Sequence, residues 1–109
     1  MLNDEQALRA LGALAHPLRL KVFRALVVVG SPGLTAGAIQ EGVAVPAATL
    51  SFHLKELTEG GLATQERVGR NFVYRAAYAH MNGLLDYLTD HCCAGAACAV
   101  APIAAGCGC

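Results

Sequence analysis

PAATLSFHLKELTEGGLATQERVGRNFVYRAA, residues 46–77, decides the fold. Its first half carries a helical signal. Leu50, Leu54 and Leu57 recur at i, i+4 and i+7, Pro46 suits a first turn, and Gly60-Gly61 marks the end. Its second half holds two short β-type runs, LATQERV and NFVYRAA, with Gly69-Arg70 between them, the pattern of a hairpin. Just upstream, TAGAIQEG reads as a shorter helix, capped by Thr35, stapled by Leu34 and stopped by Gly42. Two helices joined by a short turn and followed at once by a hairpin spell a helix-turn-helix with a wing.

That order has a physical use. A recognition helix must be apolar on one side and polar on the other to enter a major groove. With the three leucines turned inward, the outward candidates include Thr49, Ser51, His53 and Lys55. Small Ala47 and Ala48 at the helix start permit close approach to DNA. Arg67, Arg70 and Asn71 at the hairpin tip can reach phosphates or a minor groove. Each residue alone is more often part of an ordinary solvated face. The helix-helix-hairpin order makes DNA binding the stronger reading.

The flanks are helical as well. Residues 4–15 place Leu8, Leu11 and Ala15 at helical spacing, with Asn3 as N-cap and Asp4 and Glu5 in the first turn. His16-Pro17 interrupts, and a second helix runs from Pro17 to about Val29 with Leu18, Val22, Ala25, Leu26 and Val29 on one face. Gly30-Ser31-Pro32-Gly33 is a loop. The last helix spans AYAHMNGLLDYLTDHCC, with Met81, Leu84, Leu85 and Leu88 in one stripe. The expected fold is therefore mainly α with a β-hairpin. Residues 1–91 are the expected winged helix-turn-helix domain, and residues 92–109 a cysteine-rich tail.

A chain of 109 residues is one domain. Eight basic residues balance eight acidic ones, so any pull on DNA must come from local patches. The start, MLNDEQALRALGAL, carries acids and lacks an uninterrupted apolar run, which argues against a signal peptide. No stretch reaches the roughly eighteen apolar residues of a membrane span. The expected compartment is the cytoplasm, where thiols stay mostly reduced.

LGALAHPLRLKVFRAL, residues 11–26, resembles the opening helical pair of ArsR/SmtB-family metalloregulators, and LSFHLKELTEGGLATQERVGRNFVYRA, residues 50–76, resembles their recognition helix and wing. The resemblance covers roughly residues 5–90. It implies a homodimer packed through its first and last helices, with Leu8, Leu11, Met81, Leu84, Leu85 and Leu88 as seam residues. It also implies a repressor that holds operator DNA and lets go when a metal or metalloid binds. Two departures stand out. Where many relatives carry Cys-Val-Cys at the start of the first DNA-reading helix, this chain has Thr35, Ala36 and Gly37. Where others bind zinc on the last helix, His80 and His91 match, but Tyr78 and Ala94 replace the other two ligands. A closed tetrahedral zinc site then needs two more ligands from the tail.

All five cysteines lie in HCCAGAACAVAPIAAGCGC, residues 91–109. The odd count argues against a plain disulfide scaffold, and their crowding into one end argues against accident. Cys92, Cys93 and Cys98 point in three directions on an unbroken helix, so the chain must bend at Gly95 to bring them together. Three sulfurs without a carboxylate select soft ions. A thiolate pyramid suits trivalent arsenic or antimony, and some arsenic-responsive relatives place a similar set just after the last helix. Cys107 and Cys109 are accessory candidates. Other readings stay open. Cys92, Cys93, Cys98 and Cys107 together suit cadmium or lead. A pair such as Cys92 or Cys93 with Cys98 or Cys107 suits a redox sensor. A thiol buffer for metalloids would ignore DNA altogether. An enzyme is not expected: there is no Cys-x-x-Cys on a strand-helix start, no phosphate loop and no convincing nucleophile–base arrangement.

Overall fold

Leu26, Leu54, Leu57 and Leu62 have almost no surface left in contact with solvent, and the remaining elements are arranged around them. The computed structural model describes residues 2–90. Within them the order is α1 (Asp4–Leu14), α2 (Pro17–Val29), β1 (Leu34–Thr35), α3 (Ala36–Val43), α4 (Ala47–Glu59), β2 (Ala63–Val68), β3 (Asn71–Ala76) and α5 (Tyr78–Thr89). This is the expected winged helix-turn-helix.

Local chemistry sets the helix starts. Asn3 accepts from the Gln6 backbone N–H at 2.8 Å, and the Gln6 side chain accepts from the Asn3 N–H at 3.0 Å, a reciprocal cap on α1. The ring Nδ1 of His16 accepts from the Leu18 N–H at 3.1 Å, with Pro17 in the first turn of α2. Thr35 accepts from the Ala38 N–H at 3.1 Å and starts α3.

Three local expectations are corrected. α1 ends at Leu14, with Ala15 as its C-cap rather than its last residue, and it buries Ala7, Ala10 and Ala13 while leaving the expected seam residues Leu8 and Leu11 exposed. Short side chains win because α1 lies close to the end of α4, where a Cβ on Gly60 would fall 2.8 Å from the Ala13 Cβ. On α2, Ala25 is exposed and Phe23 joins Val22 and Leu26 in the core. Gly42 does not stop α3. The helix runs to Val43 and closes at Ala44, which takes the left-handed conformation at φ 54° and donates its N–H to Gln40. The Gln40 amide in turn donates to the Val45 carbonyl at 3.1 Å, securing the turn into α4.

The hairpin pairs β2 with β3 antiparallel, from Ala63 opposite Ala76 to Val68 opposite Asn71, around the two-residue turn Gly69-Arg70. A third strand, unexpected from sequence, is added by β1: Leu34 and Thr35 pair with Tyr74 and Val73, giving the sheet order β1-β3-β2. Two residues are too few to show a period of two, so this strand exists only through its partner. Arg75 ties the sheet to the preceding loop by donating to the Ser31 carbonyl, and braces β3 against β2 by donating to Glu66, each at 2.8 Å.

The last helix is anchored at both ends. Tyr78 donates to the Val27 carbonyl of α2 at 3.1 Å, and the Tyr87 hydroxyl donates to Asp4 at the start of α1. Leu84 is buried between these anchors. The helix ends at Thr89, with Asp90 extended, short of the expected continuation to Cys93. No helix among the described residues is long and apolar enough to cross a membrane.

Candidate nucleic-acid interface

The core face of α4 holds Leu50, Leu54 and Leu57, as expected, and also His53, which is only 7 % exposed. His53 is therefore corrected from an outward reader to an internal residue. The reason is helical geometry: it lies three residues after Leu50 and four before Leu57, which places it on the leucine side. Its Nδ1 accepts from the Arg19 Nε–H of α2 at 3.0 Å, and its ring lies 4.5 Å from that of His16. Burial, with the nearby His16 and Arg19 adding to it, pushes the His53 pKa below its ordinary value. His53 is thus a neutral acceptor that locks α4 to α2.

The opposite face is open. Ala47, Ala48, Thr49, Ser51 and Lys55 are all exposed along α4. One residue on this face was not foreseen: Phe52, 54 % exposed. Its signal was present in the sequence, since it sits two residues from both Leu50 and Leu54, on the far side of the helix from the leucine stripe. The Arg19 guanidinium carbon lies 5.5 Å from the centroid of its ring, and the His53 ring meets it edge-on at 5.4 Å.

The wing flanks this helix. Arg67, Arg70 and Asn71 are exposed at its tip, and Arg67 donates to the Gly69 carbonyl at 3.2 Å. Between α4 and the sheet runs a groove of about 570 Å³, whose lining includes Ser51, Lys55, Gln65 and Phe72. Gln65 and Tyr74, opposite each other on β2 and β3, are bonded side chain to side chain at 2.9 Å and stiffen the wing base.

The six expected seam residues separate. Leu8, Leu11 and Leu88 are exposed; Met81 and Leu85 are half-buried; Leu84 is only 4 % exposed, already enclosed by its own chain. Of the two candidate zinc histidines, His80 turns its Nε2 inward against Gly61, where it is buried and has no hydrogen-bond partner among the described residues. Tyr78 is engaged with Val27. Among the described residues no three His, Cys, Asp or Glu side chains gather in a way that could hold a metal. His91, Ala94, Cys92, Cys93, Cys98, Cys107 and Cys109 lie outside the described residues.

Residues 14–66 match a family profile described as a helix-turn-helix domain. The chain is 29 % identical over 91 residues to the HTH-type transcriptional regulator YgaV of Escherichia coli K12, covering 84 % of this chain and 90 % of that protein. Its fold is similar to that of an ArsR-like transcriptional regulator from Rhodococcus sp. RHA1, with TM-score 0.68, 25 % identity, and 77 % and 76 % of the two chains covered. It is also similar to Mb0332 of Mycobacterium bovis, a homodimeric winged helix-turn-helix DNA-binding domain, with TM-score 0.63, 29 % identity, and 80 % and 81 % covered. The fold is the winged helix-turn-helix of ArsR-like regulators. These relatives are DNA-binding or transcriptional regulators, not enzymes.

Proposed function

We propose that this winged helix-turn-helix chain is a cytoplasmic, homodimeric transcriptional repressor, released from operator DNA when trivalent arsenic or antimony binds Cys92, Cys93 and Cys98. The observation that carries the proposal is a conjunction. An open face on α4, carrying small and polar residues around Phe52, stands beside a basic wing tip. All five thiols lie on the C-terminal side of α5, the helix that is bonded to the start of α1. The first feature suits a major groove with phosphates on either side. The second offers soft sulfur donors, with no carboxylate interleaved, to a soft and electron-poor centre. Cys107 and Cys109 serve as accessory donors.

Trivalent arsenic, when bound, supplies the affinity for three thiolates that reshapes the segment after α5. The rest is done by the chain. Tyr87 is five residues before Cys92, and it donates to Asp4. A pull on the end of α5 is thereby passed to α1, and the exposed leucines on both helices form the seam with the second copy. Release requires that the inducer favour one dimer shape over the other, typically by about 1–3 kcal/mol.

Operator release by arsenite, measured with Cys92→Ser, Cys93→Ser and Cys98→Ser in turn, tests the proposal. Each substitution is expected to abolish or strongly blunt release while leaving operator affinity intact. Normal release by all three variants would reject the assignment. Release by cadmium or lead but not arsenite would identify a soft-metal sensor. Release by an oxidant, reversed by a thiol reductant, would identify a redox sensor.

A further inference from the structure

Phe52 is the large apolar side chain on the outer face of α4, and nothing in the packing of the core requires it there. It follows Ala48 by one helical turn and precedes Lys55 by three residues, so the three share one side of the helix. Its ring is already positioned, flanked by the Arg19 guanidinium at 5.5 Å and by the buried His53 ring at 5.4 Å. His53 itself is fixed by the hydrogen bond from Arg19. A side chain ordered before binding loses little entropy on binding.

A major groove offers an exposed aromatic ring one apolar feature, the C5-methyl group of thymine, whereas the other base edges there are donors and acceptors. We infer that Phe52 is the specificity-determining residue that reads a thymine methyl in each operator half-site, with Arg19 and His53 as its positioning residues. Small Ala48 one turn earlier leaves the base pair room to approach. The inference rests on the DNA-binding reading above and adds a base preference to it. It gives Phe52 the outward, DNA-facing place that polarity had suggested for its neighbour His53.

The test uses the full-length chain and a duplex selected by it from a random pool. Each thymine is replaced singly by deoxyuracil, which removes only the methyl group. The wild-type chain should lose about fourfold in affinity at one position per half-site, and about fifteenfold when both half-sites are changed, the worth of one buried carbon each time. Phe52→Gln should bind thymine and uracil duplexes equally, with an unchanged salt slope because no phosphate contact is lost. Phe52→Tyr, which keeps the ring, should retain the methyl preference. Far-ultraviolet circular dichroism checks that the variants fold. Two results would overturn the inference: no uracil-sensitive position with the wild-type chain, or the same sensitivity in Phe52→Gln. The absence of any salt-dependent specific binding would instead remove the DNA reading on which it stands.

Discussion

The His53 imidazole is held neutral because it is buried, lies beside His16 and Arg19, and accepts a hydrogen bond from a cation. Protonation would remove that acceptor and place two positive groups in contact. In the unfolded chain the ring titrates near its ordinary 6.5, and in the folded chain below that value. Between the two values the unfolded state binds more protons, so stability rises with pH there. The contribution is fully present above the unfolded value and is lost as pH falls through the folded one. Urea unfolding should therefore show stability declining below about pH 6.5. His53→Asn should flatten that decline while costing about 1–3 kcal/mol at pH 7.5, where the bond to Arg19 is made. An unchanged pH slope in the variant would assign the decline to other groups. His53 also shows what could be read before folding. Its position relative to Leu50 and Leu57 already pointed inward, and its polarity pointed outward. Burial followed the geometry because Arg19 supplied a partner.

Between α4 and β2 the chain reverses within Gly60-Gly61. The Gly61 N–H donates to the Thr58 carbonyl at 3.0 Å, and the Leu62 N–H to Leu57 at 3.1 Å. Gly61 sits at φ +82°, and a Cβ there would fall 2.5 Å from the His80 Nε2. Gly61→Ala should cost about 2–4 kcal/mol, from the left-handed backbone together with crowding against α5. In a double-mutant cycle by urea unfolding, His80→Ala should recover the crowding part and leave the backbone part. Complete recovery would deny the backbone strain, and no recovery would deny the contact. The glycine pair was legible as a helix end. Its contact with a histidine about twenty residues later was not, because only the antiparallel return of β3 into α5 brings His80 back to that turn. The same holds for α3, whose end at Ala44 rather than Gly42 is fixed by the Gln40 bonds and not by residue preference alone.

For the whole molecule, Leu84 belongs to the core of one chain, whereas Leu8 and Leu88 lie on the surface. The two kinds of apolar residue should respond differently. Leu84→Ala should lower folding stability by about 2–5 kcal/mol. Leu8→Glu with Leu88→Glu should leave folding stability nearly unchanged and shift the chain from dimer to monomer by sedimentation. Loss of the second half-site should then weaken operator binding by about a hundredfold or more. A charged variant that remains dimeric with full affinity would place the seam elsewhere.

What the order of residues settled by itself is the alternation of elements: caps at Asn3 and Thr35, the break at His16-Pro17, the leucine stripe of α4 and the hairpin at Gly69-Arg70. These follow from backbone preferences and short-range periodicity, which act within a few residues. The confinement of every thiol to the last eighteen positions is also a property of the sequence alone. Only the tertiary structure decided which of two apolar sets on α1 is enclosed, that β1 joins β3, that His53 turns in while Phe52 stands out, and that Tyr87 reaches Asp4. Each of these depends on what another element places opposite, and packing space and hydrogen-bond partners from distant parts of the chain exist only once the helices and the sheet have met.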